Sequence, residues 1–199
     1  MELVTITAPT GAVATTAELK AQCRVKHSLE DTVLAACLLA ATEWAEKFTG
    51  RALRAGGTFE LWLDEFPSGG IRLPKPPVAS VTSVKYYAQD GTDTTLVVTT
   101  DYTVFLPTGD EAGEAIVDPA YQRSWPVARA VRGSVRIRFV AGYDAAPTAI
   151  PGAVKQAVLM LADEMYFNRG ESIVGTISAQ AAVTAERLLW PFRVFHEGG

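Results

Sequence analysis

The chain has little of what metal centres and catalytic sites are usually built from. It carries two cysteines and two histidines in 199 residues. Cys23 and Cys37 both fall in expected helices and form no C-x-x-C pair, which argues against a zinc site or a disulfide framework. They read as buried thiols in a reducing compartment. His27 lies in an expected interhelical loop and His196 in the terminal tail, neither at a metal-ligand spacing. Nucleotide and hydrolase signatures are missing as well: there is no P-loop, no G-x-G-x-x-G, no G-x-S-x-G elbow and no H-E-x-x-H. Asp163 and Glu164 are adjacent on a helix, about 100° apart, so they do not converge on one substrate atom and read as solvated charges. No catalytic residue, cofactor or metal ligand is expected, and the chain reads as a protein that is not an enzyme.

Basic excess is absent too. Lys and Arg total 18 against 22 Asp and Glu, a formal net charge of −4, which does not fit a general binder of nucleic acid or anionic membrane. No charge-free run approaches the roughly 18 apolar residues of a membrane span. The first residues, MELVTITAPTG, alternate in β fashion after an acidic Glu2 and do not resemble a signal peptide. What remains is an ordinary aqueous composition, 48% hydrophobic. At this length a chain buries roughly 70% of its unfolded surface and needs no staples.

Residues 3–7 are rich in β-branched side chains and stop at Pro9 and Gly11, the mark of an edge strand or an arm that joins a neighbour. Thr15 and Glu18 have the capping-box spacing before a short helix over residues 16–25, and Ser28 with Asp31 repeats it before a second. The second helix carries an apolar stripe of Val33, Cys37, Ala40, Ala41, Trp44 and Phe48 and ends at Gly50, a plausible C′ residue. Strands are then expected over residues 59–63, 70–73, 78–88, 94–99, 102–106, 115–117 and 134–140, with Asp90-Gly91 marking a hairpin. Val135, Ile137 and Phe139 alternate with Arg136 and Arg138, apolar inward and basic outward. Asp110, Glu111 and Glu114 crowd among glycines, but their spacing is not that of an EF-hand, and a solvated turn is expected there.

The stretch Ile150 to Gly170 reads as one long helix with a primary stripe of Val154, Ala157, Val158, Leu161, Ala162 and Met165. Its natural partner is the second helix. On its other side Leu159, Met160, Tyr166 and Phe167 interleave with Lys155, Gln156, Asp163 and Glu164. That mixed face suits a subunit contact through Met160, Tyr166 and Phe167, or a second buried face within one chain. Residues 175–185 are small and polar without periodicity and read as mobile, after which Leu188 to Phe195 concentrates apolar and aromatic side chains. The expected class is α+β. A small helical bundle, two N-terminal helices plus one long C-terminal helix, draws on residues 1–52 and 147–174; a β-rich insertion spans 53–146; an extended, flexible tail occupies 175–199.

Several segments recur together in one known family: E-L-K-A-Q-C-R-V, A-A-T-E-W-A-E-K-F-T-G-R, A-G-Y before I-P-G-A-V-K-Q-A-V, and the terminal L-L-W-P-F-R. In that order the chain resembles the tailed-phage head-tail connector proteins, also called adaptor or head-completion proteins, and their prophage and gene transfer agent relatives. The resemblance implies a structural subunit of a virion or phage-like particle, assembled in the bacterial cytoplasm and placed at the head-tail interface. It implies a homo-oligomeric ring, twelvefold, under the portal protein. It further implies a surface for a stopper or tail-completion protein, and double-stranded DNA passing through the lumen without sequence readout; the net negative charge fits a passage that does not grip phosphate. The matched Leu188, Leu189, Trp190, Pro191, Phe192 and Arg193 become the candidates for docking portal or a neighbouring subunit, and Trp, Phe and Arg are hot-spot residue types. Three alternatives stay open: the tail folds back on its own chain, the protein is a different virion module such as a stopper or tail-completion protein, or it is a small enzyme whose site is assembled from scattered carboxylates around Asp163 or Glu164. The sheet arginines Arg136 and Arg138 are candidates for DNA contact or for surface ion pairs.

Overall fold

The computed structural model describes residues 1–109, 112–143, 149–168 and 179–195, with side chains for 183–195 in the last segment. The chain divides into two compact units, one of Met1–Gly11 with Arg54–Tyr143 and one of Ala12–Leu53 with Asp144–Gly199. Eight strands, all in the first unit, run β1 (Glu2–Thr7), β2 (Gly57–Leu63), β3 (Ile71–Leu73), β4 (Val78–Tyr87), β5 (Asp93–Leu96), β6 (Tyr102–Phe105), β7 (Ala115–Pro119) and β8 (Val135–Ala141). The described residues of the second form four helices, α1 (Thr16–Cys23), α2 (Asp31–Thr49), α3 (Gly152–Phe167) and α4 (Ala179–Leu189), the last followed by a 3-10 turn at Trp190–Phe192.

The β unit holds two antiparallel sheets, one ordered β1-β2-β8-β4-β5 and one ordered β3-β7-β6. Register follows the side-chain period of two. Phe59 pairs with Phe139, Leu61 with Ile137 and Leu63 with Val135, so the apolar members fall on one face. Phe139, Leu61, Ile137 and Val135 are fully buried there, and Val84 joins them from β4. In the second sheet Ile71 faces Val117 and Leu73 faces Ala115, all four buried. Tyr102 is buried as well, and that burial pushes its phenol above the ordinary tyrosine range. The A-G-Y segment has a steric reason: Gly142 has φ +119°, and a Cβ there would lie 2.0 Å from the Arg54 carbonyl oxygen. Only glycine lets the end of β8 approach that backbone. The hairpin at Gln89–Thr92 forms as the sequence indicates, although only Gly91 takes positive φ; the Asp90 carboxylate instead accepts the Thr92 N–H at 2.9 Å.

In the helical unit α1 opens with the full capping box: the Glu18 N–H donates to Thr15 Oγ1 and the Thr15 N–H to Glu18 Oε2. Ser28 does not cap α2. The helix starts at Asp31 with no side-chain cap, and the Asp31 carboxylate is taken by Lys20 Nζ at 2.7 Å. The C-terminus of α2 is closed by Gly50 in the left-handed region, φ +72°, whose N–H donates to Glu46.

Two expectations are corrected here. The buried face of α2 is Leu34, Leu38, Ala41 and Ala45, rotated one residue from the expected stripe, and Val33, Cys37, Trp44 and Phe48 are left half-buried. The C-terminal part is not one long helix plus an extended tail: α3 ends at Phe167, and α4 with its 3-10 turn forms where residues 179–192 read as tail. The second face of α3 is divided: α3 packs against α1, α2 and α4 of its own chain, which buries Leu159 and Tyr166, while Met160 stays half-buried and Phe167 exposed. The small residues at 179–182 hid a helix because alternation of Ala, Gln and Val gives no apolar contrast until Ala185 and Leu189, both fully buried, are reached one turn apart.

Candidate interaction surface at the C-terminal aromatic cluster

The corner that follows α4 gathers most of the expected docking residues. Leu189 is fully buried and Phe192 nearly so, which makes them anchors of the corner within this chain. Pro191 in the first positions of the 3-10 turn fixes the bend, and the Arg193 N–H closes it on the Trp190 carbonyl at 3.1 Å. Two further bonds tie the corner to the end of α2. The Val194 N–H donates to the Thr49 carbonyl at 2.8 Å, and Arg51, itself buried, donates through Nε to the Phe192 carbonyl. The described part of the tail therefore folds back on its own unit, and the buried Arg51 with the Gly50 turn holds it there.

What that leaves outward is a cluster of aromatic rings around one cation. Trp44 and Phe48, one turn apart on α2, stack with centroids 5.1 Å apart. Trp190 lies 6.5 Å from Phe48, and Phe195 meets Trp190 edge-on at 6.0 Å. The Arg193 guanidinium sits 5.4 Å from the ring centres of Phe48, Trp190 and Phe195 alike. Such stacking against three rings preorganises the guanidinium and spares part of the side-chain entropy that binding would otherwise cost. Trp190 and Phe195 are 55% and 63% exposed, Pro191 and Arg193 are exposed, and Leu188 is half-buried. Trp44 and Phe48, expected in the apolar stripe of α2, belong to this surface; their i, i+4 spacing sets the two rings side by side, and only the fold brings Trp190 to them. His196 lies outside the described residues.

The expected subunit-contact residues separate. Phe167 is 64% exposed, Met160 is half-buried, and Tyr166 is buried with its hydroxyl donating to Glu30 Oε2. Glu30 also stands 3.8 Å from His27 Nε2. Tyr166 therefore packs within its own chain, while Phe167, edge-on to it at 5.3 Å, is the exposed one of the two rings.

Among the described residues the carboxylates Asp163, Glu164, Glu18 and Glu114 each have a different neighbour. Asp163 is not a solvated charge: it accepts from the buried Cys23 thiol, which burial and that bond push up to about 12, and its Oδ1 has no hydrogen-bond partner among the described residues. Glu164 accepts from Asn168 Nδ2 at 2.6 Å. Glu18 is held down to about 2 by Lys155, whose Nζ is 2.7 Å away, and by the Thr15 cap. Asp110 and Glu111 lie outside the described residues, and Glu114 is 4.0 Å from Arg72. On the sheet, Arg136 pairs with Asp93 at 2.8 Å and stacks on Tyr87, while Arg138 pairs with Glu60 at 2.8 Å. These two arginines are internally neutralised.

No protein-family model and no curated protein matches the chain. Solved structures do. Over 100% of this chain, and 98% of the other, it is similar to a chain in the virion of a native gene transfer agent particle, with a TM-score of 0.77 and 24% identity. At the same coverage it is similar to a chain in the neck of an empty gene transfer agent particle computed with C6 symmetry, with a TM-score of 0.76 and 25% identity. A chain in the native neck computed with C12 symmetry gives 0.71 and 23%. The fold is shared along the entire length, and the likeness supports a structural component of a phage-like particle.

Proposed function

We propose that this chain is a head-tail connector subunit that assembles as a twelvefold ring in the neck of a phage-like particle. There it extends the DNA channel under the portal protein and offers the opposite side to a stopper or tail-completion protein. The observation that carries the reading is the likeness over the whole chain to chains from neck structures computed with C12 and C6 symmetry. In such a ring each subunit makes a heterologous contact, one side fitting the opposite side of its neighbour. Phe167 and the half-exposed Met160 are the α3 residues available for it, with Tyr166 holding the end of the helix.

Portal docking goes to the aromatic corner. Trp190, Pro191 and Arg193 make the contact with Leu188 at its margin, while Leu189 and Phe192 hold the corner in shape. Exposed Trp and Arg, already ordered, have the residue chemistry of a binding hot spot. The double-stranded DNA in the lumen passes without sequence readout, and the mechanism is assembly by burial with no catalytic step.

Cryo-electron microscopy of the purified chain mixed with the portal protein of its particle tests this: a twelvefold ring seated beneath the portal is expected. A chain that stays monomeric with isolated portal, together with particles that lack it and still join tails, overturns the reading. Removing residues 188–199 is a poor probe because it opens the core at Leu189 and Phe192. The double variant Trp190→Ala/Arg193→Ala should instead weaken portal binding by about a hundredfold or more while the fold persists. Cross-links from Trp190 that reach tail proteins and never portal would assign the chain to a stopper.

A further inference from the structure

A long stretch of the β unit carries cations and no anions. From Pro119 to Tyr143 the sequence contains Arg123, Arg129, Arg132, Arg136 and Arg138 without a lysine or a carboxylate. The structure sorts these five. The two on β8 each face a carboxylate at 2.8 Å, Asp93 for Arg136 and Glu60 for Arg138. The three on the loop before β8 are exposed, and among the described residues none of them forms an ion pair. The Asp64 carboxylate accepts the Gly133 N–H at 2.9 Å, and Glu65 lines the same open groove as Arg123 without an ion pair between them.

The loop is fixed in place. The Arg129 N–H donates to the Tyr87 carbonyl at 2.9 Å, and Gln89 Nε2 donates to the Ala128 carbonyl at 2.9 Å. Trp125 stacks on Phe66 at 4.8 Å and donates through Nε1 to the Gly69 carbonyl at 2.9 Å. The Arg129 guanidinium reaches the hairpin tip, where a Cβ on Gly91 would come within 3.0 Å of Nη1. Tyr121, 90% exposed, stands beside the basic positions.

We infer that this loop is a contact for the phosphate backbone of double-stranded DNA, made by Arg123, Arg129 and Arg132 on a preformed turn. The reason is selective charge compensation. A chain of net charge −4 neutralises its sheet arginines within the sheet yet leaves three guanidiniums of one loop unpaired, held by backbone bonds that do not use the guanidiniums. Arginine forks match phosphate oxygens, and such contacts position a duplex without reading its sequence. The connector reading supplies the source of the duplex and nothing else in the inference depends on it.

Fluorescence anisotropy of the purified full-length protein with a labelled duplex of about 24 base pairs, from about 20 to about 200 mM salt, tests the inference. The variant Arg123→Ala/Arg129→Ala/Arg132→Ala should weaken binding at low salt by about tenfold or more and flatten the log–log salt slope by about 2.7, the contribution of three phosphate contacts. A control, Lys26→Ala/Lys47→Ala/Arg187→Ala, removes the same charge from exposed positions of the helical unit and should change little. Equal losses in both variants, or no loss in the first with its melting temperature unchanged, overturn the inference. A polyglutamate peptide that displaces the duplex as well as unlabelled duplex of equal charge also overturns it, in favour of an acidic protein segment. Ring formation under the portal is read separately, so a failed ring with intact duplex binding, or the reverse, tells the two ideas apart.

Discussion

The β unit and the helical unit obey the sequence in different ways. Along β8 burial alternates residue by residue, with Val135, Ile137, Phe139 and Ala141 in and Arg136 and Arg138 out, as the pattern of apolar and basic residues requires. Along α2 the apolar pattern is right in kind and wrong in angle. From Val33 to Ala41 every residue is apolar, so periodicity cannot say which side faces the core, and the helix turns Leu34, Leu38, Ala41 and Ala45 inward. A strand has two faces and a ladder that locks the choice. A helix can rotate about its axis until its packing partners fix it, and here α3 and α1 do so.

The largest effect that would sharpen this contrast is expected at Gly142. Gly142→Ala places a Cβ against the Arg54 carbonyl at a φ that L side chains rarely adopt, and should cost at least about 4 kcal/mol. Urea unfolding of the variant measures it, and a loss under about 1 kcal/mol would mean that β8 does not end as described.

Next comes the rotation of α2. Leu34→Ala should cost about 3 kcal/mol because it empties a fully buried site, whereas Val33→Ala, on the expected stripe, should cost less than about 1 kcal/mol. Thermal melts of the two variants side by side decide it, and a reversed order would put the helix back at the expected angle.

The smallest effect belongs to the electrostatic tie between α1 and α3. Glu18 titrates at about 2 in the folded chain against an ordinary 4.5, so its contribution is complete above about pH 4.5 and is lost as pH falls from there toward 2. The pair is a surface one and partly screened, and Glu18→Gln should remove about 1 kcal/mol near neutral pH and nothing near pH 2. Denaturation curves across that range check the sign: a deficit that grows on acidification would contradict it. Above pH 9 a separate loss is expected as the Cys23 thiol, pushed up to about 12 when folded, ionises more readily in the unfolded chain.

Much of the candidate site was legible in residue types and not in placement. The terminal Leu-Leu-Trp-Pro-Phe-Arg run stood out by its apolar and aromatic side chains, but nothing local could tell Leu189 and Phe192, which anchor, from Trp190 and Arg193, which remain outward. That division is made by bonds from Thr49 and Arg51, some 140 residues earlier in the chain. The acid-free stretch from Pro119 to Tyr143 was equally plain in the sequence, yet its meaning depended on partners across strands: Glu60 and Asp93 reach two of its arginines and leave three.

By itself, then, the sequence determined the strands, the hairpin at Gly91, the capped start of α1, the glycine end of α2 and the absence of any catalytic motif, because each of these is written in neighbours a few residues apart. Tertiary structure alone decided which way α2 faces, that the tail becomes a helix and a pinned corner, which ring of α3 stays open and which arginines keep their charge to offer. Those outcomes turn on contacts between residues far apart in the chain, where burial and ion pairing are competitions among many partners and no local pattern records the winner.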